Sequence, residues 1–416
     1  MLLLTAPSAI ARYRLGDEEI DSVDLKALLV SRGLRVPGEV YRRLAAGARL
    51  SPDPLTCNCL ILPDGTIVQL TDLALHMSYV RSAISWDLLR QLRYFRQLTT
   101  PFSLGLTPAG RAQLLHEGRP VTVVSFPPPS AFYEQRTSSG LPFRGNAVLQ
   151  GREWLSFQCL WPCAYACAGE PCQYCYSGGV FASLAKRGRP LPPFPTPDDA
   201  AEIAAYAFGH EASVTSIQIT GGSTYDTEAE YRLITRYLQA IDRRVGRENV
   251  GGETVVYATP PKQPESVDAL FAAGADRVSM SFEIWDEDLA RVVMPGKARA
   301  VDRARHLECL EHAAATHGPG SVCSNFIVGL EPAESCLEGA EYLAARGIVP
   351  IASVWIPFGR PVLGSMRTPD LDFFRRIKRG LAGIYERYGL EPPGGTGLNV
   401  CMCKDVHRHR QAILAA

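Results

Sequence analysis

The sequence carries no excess of either charge, with 43 Lys and Arg against 43 Asp and Glu in 416 residues. A chain so balanced has no global field with which to gather nucleic acid or an anionic membrane surface, and nucleic acid is not expected as a partner. It also lacks any apolar run near the ~20 residues that a helix needs to cross a bilayer. The opening MLLLTAPSAIARYRL has a short apolar stretch with no basic segment ahead of it, unlike an export signal. These absences predict a soluble, cytoplasmic protein without a membrane partner. Hydrophobic residues at 46% and charged ones at 21% exclude a disordered chain. The length leaves room for one large α/β domain and a smaller part.

Cysteine, by contrast, is abundant: twelve in all, five of them between Cys159 and Cys175. Without an export signal, such crowding favours metal binding in a reducing compartment over disulfides.

From Glu153 onward, short β-branched runs alternate with amphipathic stretches, the pattern of parallel strands joined by crossover helices. Strands are predicted at Glu153–Gln158, Val214–Thr220, Glu253–Ala258, Arg277–Glu283, Ser321–Gly329 and Val349–Trp355. One intervening helix opens at the cap Thr196-Pro197-Asp198-Asp199, another at Thr227 with Glu230 three residues on. Six such repeats predict an α/β fold, an open partial (β/α)6 TIM-type barrel with an N-terminal α+β extension. The expected boundaries are 1–145 for the extension, 146–370 for the barrel and 371–416 for a C-terminal helix and Cys-x-Cys tail. Within the extension, Leu25–Arg32 reads as a helix, Cys59–Leu70 as a hairpin around Pro63-Asp64-Gly65, and Val121–Phe126 as a strand. The stretch Lys186–Pro195 reads as a linker or as a loop inside the barrel.

In a parallel barrel the chemistry sits where strands end. Directly after the first predicted strand come Cys159, Cys163, Cys167, Cys172 and Cys175, with Tyr174 ahead of the last. Thiolates are soft ligands suited to an iron–sulfur cluster or to zinc. Three of them leave one iron of a cluster open, whereas a zinc knuckle needs a fourth ligand close by, and the nearest downstream histidine is His210. The ending Cys172-Gln-Tyr174-Cys175 resembles the cysteine loop of the radical S-adenosylmethionine (radical SAM) superfamily, which closes on Cys-x-aromatic-Cys. That resemblance covers roughly residues 150–370. It implies a [4Fe-4S] cluster on Cys172, Cys175 and a first ligand that is Cys167, Cys163 or Cys159, the interval from Cys167 being one residue longer than usual. The cysteines left over are read as buried small hydrophobes.

The resemblance also assigns the remainder of a cofactor site. Gly221, Gly222 and Ser223 correspond to the element that contacts the amino end of SAM. In biotin synthase-like relatives, polar residues at the fourth strand hold the ribose and an arginine on the next helix holds the carboxylate. Glu283 then becomes a ribose or amine contact and Arg303 or Arg305 the clamp, with a solvated helix face as the competing reading for each arginine. On the fifth strand, Ser324 and Asn325 are expected to touch the cofactor and Gly329 to clear space near the adenine. Arg360, after the sixth strand, is read either as facing an acidic substrate group or as an ordinary surface arginine. The implied activity is reductive cleavage of SAM to a 5′-deoxyadenosyl radical that takes hydrogen from a small-molecule substrate, with flavodoxin or ferredoxin as electron donor. Two rival readings are an RNA- or peptide-modifying radical enzyme and a zinc-binding structural protein. Finally, Cys57-Asn-Cys59 and Cys401-Met-Cys403, the latter followed by Asp405, His407 and His409, would form a second metal or auxiliary iron–sulfur site if the termini meet. The competing reading is one buried and one exposed thiol on a strand, whose neighbours point to opposite faces.

Overall fold

The computed structural model of the chain describes residues 9–37, 40, 59–69, 100–127, 130–151, 153–160, 162–175, 188, 194–356, 363, 368–394 and 400–416. Cys57, Arg360 and most of the stretch 186–195 lie outside them.

The N-terminal part begins with the antiparallel pair β1 (Arg12–Leu15) and β2 (Glu18–Asp21), which leads into helix α1 (Ser22–Arg32). Asp21 and Asp24 close a capping box at the start of α1, satisfying amides that the helix itself leaves unpaired. The hairpin β3 (Cys59–Ile61) and β4 (Ile67–Gln69) turns at Asp64 and Gly65, where Gly65 takes φ +85°, a conformation glycine adopts without steric cost. A three-stranded antiparallel sheet follows: β5 (Phe102–Leu106), β6 (Ala112–His116) and β7 (Arg119–Val123).

The main sheet has seven strands in the order β14-β13-β12-β11-β10-β9-β8. These are β8 (Ala147–Gln150), β9 (Trp154–Leu160), β10 (Ser216–Gly221), β11 (Thr254–Tyr257), β12 (Arg277–Ser279), β13 (Val322–Val328) and β14 (Val349–Val354). Strands β9 to β14 are parallel neighbours in chain order, the curled wall of an open partial TIM-type barrel, and β8 adds antiparallel to β9. All six predicted parallel strands are present. The helices between them are α2 (Ala164–Cys167), α3 (Pro197–His210), α4 (Thr227–Val245), α5 (Asp268–Ala272), α6 (Glu287–Val293), α7 (Pro295–Ala300), α8 (Arg303–His317) and α9 (Ala333–Ala344). Beyond the sheet come α10 (Leu371–Tyr388) and α11 (Cys403–Ala415).

Thr196 and Asp199 form the predicted capping box of α3. The second predicted cap is corrected: Asp226, not Thr227, caps α4 by accepting from the Ala229 amide at 3.0 Å, and Glu230 turns away from the helix end. A carboxylate one position earlier reaches the free amides from outside the helix, which releases Glu230 for another partner.

One hydrophobic cluster runs through Leu25 and Leu29 of α1, Leu60 and Val68 of the hairpin, and Phe157, Ile219, Val278 and Phe326 of the barrel. Helix α1 packs on α10 and β14, and Lys26 and Asp405 of α11 form an ion pair at 2.7 Å with both side chains at 0% exposure. Removing one member of such a pair takes away a buried charge's closest partner without readmitting water, even though Asp405 also accepts from Arg408 at 3.0 Å, and this costs more than the pair itself contributes. Accordingly, Lys26→Met or Asp405→Leu alone lowers the unfolding free energy by about 3–5 kcal/mol, and the double variant recovers most of that loss, as read by urea denaturation.

Candidate functional site

The cysteine loop leaves β9 with Cys159 buried on the strand, Cys163 half-buried at the start of α2, Cys167 exposed at its end, and Cys172 and Cys175 half-buried. No disulfide links the described cysteines. Three backbone hydrogen bonds tie this loop to its neighbours: the Ala164 amide donates to Ser223 O at 2.8 Å, Gln173 to Val293 O at 2.7 Å, and Gly296 to Glu170 O at 3.3 Å. The last approach requires glycine, because a Cβ at residue 296 would stand 2.5 Å from that carbonyl. Cys172 and Tyr174 pack against Ile284, Met294, Leu330 and Trp355. Burial pushes the Cys172 thiol up to about 12, Cys175 adds to the shift, and the Lys297 ammonium opposes it. A thiol in that state ionises only when a bound cation compensates it, as a coordinating metal does.

Beside the loop, β10 ends on Gly221, and Gly222, Ser223 and Thr224 remain partly accessible, so backbone groups are presented without bulky side chains. Across the barrel mouth, Glu283 holds φ +69°, a left-handed conformation that costs a non-glycine residue about 1–3 kcal/mol. Two backbone hydrogen bonds to β13 fix it there, Glu283 N to Asn325 O at 2.7 Å and Ile327 N to Glu283 O at 2.9 Å. Its carboxylate accepts from Asn325 Nδ2 at 2.9 Å and lies 3.7 Å from Lys297 Nζ. Asn325 Oδ1 in turn accepts from Ser353 Oγ at 2.8 Å, and Ser353 Oγ lies 3.1 Å from Cys401 Sγ. With its hydroxyl proton given to Asn325, Ser353 accepts the Cys401 S–H.

Other predicted residues make different contacts. Ser324 is buried and its hydroxyl accepts from the Phe282 amide at 2.9 Å. Arg303 lies over the Trp285 ring at 4.0 Å, donates to Trp285 O at 3.0 Å and pairs with Glu287 at 3.2 Å. Arg305 donates to Ala300 O at 3.3 Å. The structure therefore gathers Cys172, Glu283 and Asn325 around Lys297, while both arginines spend these contacts on the α6–α8 side. Lys297 had no assigned role in the sequence, although it follows the conspicuous Met294-Pro-Gly turn. Ser353 carried no signal, being one small polar residue inside a strand.

At the other end of the chain, Cys401 and Cys403 are buried and adjacent, and Cys59 is buried on the hairpin. Among the described residues, no three or more His, Cys, Asp and Glu side chains are grouped so as to hold a single metal ion. Nor is any described helix long and apolar enough to cross a membrane.

Residues 161–341 match the family model described as the radical SAM superfamily. Among curated proteins, the chain is 23% identical over 265 residues to the bacteriochlorophyllide c C-7(1)-hydroxylase of Chlorobaculum limnaeum, a match covering 61% of this chain and 65% of that relative's length. Among solved structures, coproporphyrinogen III oxidase (HemN) from Escherichia coli aligns at 18% identity over 57% of this chain and 53% of its own, with a TM-score of 0.35. A radical SAM methyltransferase from Sphaerobacter thermophilus aligns at 15% identity over 76% of this chain and 82% of its own, with a TM-score of 0.40. Residues 161–341 of the chain are therefore similar to the radical SAM superfamily, and the chain spans just under two thirds of the curated relative it matches.

Under the same mouth, His306 is buried, stacks on Phe282 at 4.0 Å and sits 3.2 Å from Met280 O. Burial, with the nearby Lys297 charge, lowers its pKa from 6.5 to about 3. The unfolded chain thus binds the extra proton first, and stability falls as pH drops from 6.5 toward 3, by at most ~1.4 kcal/mol per pH unit. His306→Leu should flatten this fall, so that melting temperatures recorded between pH 7 and pH 4 decline less steeply than those of the unmodified protein.

Proposed function

We propose that the cysteine loop holds a [4Fe-4S] cluster through Cys172, Cys175 and one of Cys167 and Cys163, with S-adenosylmethionine bound across the neighbouring strand ends and a small molecule as substrate. The observation that carries this reading is the stitching of a thiol-rich loop to both the Gly221–Thr224 turn and the segment preceding Lys297. It sets sulfur donors beside the partly accessible backbone of residues 221–223 and a Lys–carboxylate corner in one mouth. The donor set suits a soft-metal cluster by its chemistry, soft thiols not consumed in disulfides, although no three of them are grouped around one point among the described residues. In this superfamily the bound pair supplies, on one-electron reduction, methionine and a 5′-deoxyadenosyl radical.

The chain's own residues orient and insulate that chemistry. Gly221, Gly222 and Ser223 offer main-chain groups to the amino-acid end of SAM, and Glu283, held rigid by Asn325 and Lys297, offers a fixed acceptor to a hydroxyl or amine. Lys297, which donates to Ser281 O and faces Glu283, joins Arg303 and Arg305 as a candidate cation for a carboxylate. Tyr174, Met294 and Trp355 keep water from the loop's inner side. Cys167, exposed, marks the side from which a flavodoxin- or ferredoxin-like donor would deliver the electron. The curated relative is named for a small-molecule substrate, which supports a small molecule over RNA or a peptide.

Anaerobic reconstitution with iron and sulfide tests the reading. A brown protein with about four irons per chain, forming 5′-deoxyadenosine from SAM on dithionite reduction, is the expected result. Cys172→Ala and Cys175→Ala should abolish both signals, and the pair Cys163→Ala and Cys167→Ala should divide, one retaining the cluster and one losing it. A colourless protein holding stoichiometric zinc overturns the proposal.

A further inference from the structure

Glu230 stands on the first turn of α4 with 1% of its surface exposed, yet the helix cap does not use it. Its two oxygens reach separate loops of the barrel mouth. Oε1 accepts from the Thr259 amide at 2.6 Å, just past β11, and Oε2 accepts from the Thr224 amide at 3.3 Å, just past Gly221-Gly222-Ser223. The neighbouring Tyr231 hydroxyl donates to Thr259 O at 3.1 Å, so the loop after β11 is gripped at both its amide and its carbonyl. Residue 223 is itself bonded to Ala164 of the cysteine loop. One buried carboxylate thus sits at the junction of three loops, and it has no ion-pair partner among the described residues.

A buried carboxylate without a cation is costly, and a sequence tolerates one where its acceptor capacity is needed. A glycine pair without such a tether would sample many conformations, and a ligand would lose affinity in ordering it. We propose that Glu230 is a positioning residue that holds the Gly221–Thr224 turn in the shape that binds SAM; this rests on the functional reading above. Burial pushes its carboxyl up to about 7 against the pull of the Thr259 and Thr224 amides. The titratable groups that face it are Cys159 on β9, Tyr165 on α2 and Tyr231 on α4, whose own shifts also register its charge. Ionised, Glu230 accepts both amides. Protonated, one oxygen becomes a donor and an amide is released, so the turn is held more firmly above pH 7 than below it.

Two measurements test this. In the cofactor-free protein at pH 8, hydrogen–deuterium exchange of peptides covering 221–226 and 257–262 should quicken in Glu230→Gln and in Glu230→Asp, whose shorter carboxylate cannot span both amides. In anaerobically reconstituted protein with unchanged iron content, isothermal titration with SAM should show Kd rising about tenfold in Glu230→Gln, a loss of ~1.4 kcal/mol. The gap between the two proteins should also shrink as pH falls from 8 to 6. Unchanged exchange in both variants overturns the tether, and faster exchange with Kd unaltered at every pH overturns the positioning role. If the unmodified reconstituted protein binds no SAM, the functional reading fails and takes the positioning role with it, while the exchange arm still decides the tether by itself.

Discussion

The hydrogen bonds from the cysteine loop to its neighbours, Ala164 to Ser223, Gln173 to Val293 and Gly296 to Glu170, decide where the thiols stand. A loop with little regular structure must still pair its backbone groups when it is buried, and each unpaired one would cost about as much as a lost hydrogen bond. Here the pairing is made across loops. The sulfur donors, the glycine turn after β10 and the segment before Lys297 consequently form one piece, and displacing any of them breaks bonds in the others. That coupling holds Cys172 and Cys175 in place beyond the end of α2, where no helix or strand supports them.

Glu283 shows a second use of the same economy. Its left-handed backbone would relax if released, but β13 pairs with it on both sides, and Asn325 and Lys297 hold the carboxylate. Strain of this kind persists where surrounding structure over-determines it, and it is concentrated at functional sites. The chain Lys297–Glu283–Asn325–Ser353–Cys401 carries this rigidity across three consecutive positions of the wall, from the mouth to the C-terminal segment.

The fold was largely legible in the amino-acid order because parallel strands buried on both faces leave short runs rich in β-branched residues, such as Thr254–Tyr257. The position of the cysteine loop was legible for a different reason: five thiols within seventeen residues stand directly after the first parallel strand, where a barrel's loops begin. What escaped were residues whose role is set by distance in space. Glu230 fits a capping box three residues after Thr227, and only the position of Thr259, 29 residues on, reveals its second partner. Arg303 reads as a clamp or as a solvated helix position from its place after the fourth strand, and its contacts with the Trp285 ring and Glu287 are visible only in space. No spacing rule distinguishes an arginine stacked on an indole from one aimed at a ligand. The antiparallel β8 was likewise unread, since a four-residue strand beside a turn gives too short an alternation.

Both margins of the sheet are covered by chain running the opposite way. β8 lies along β9, and at the far side Val354 N bonds to Val400 O and Met402 N to Ala352 O, so that Cys401 faces Ser353 across a short extra rung. An uncovered β14 would be a row of idle donors and acceptors, ready to recruit a strand from another chain. During synthesis, which proceeds at roughly 5–20 residues per second, the wall therefore stays unsealed along β14 until residues 400–402 have left the ribosome. For that interval the nascent barrel has a lateral opening and a sticky seam together, which makes the stretch between β14 and residue 402 the part of synthesis most exposed to misassembly.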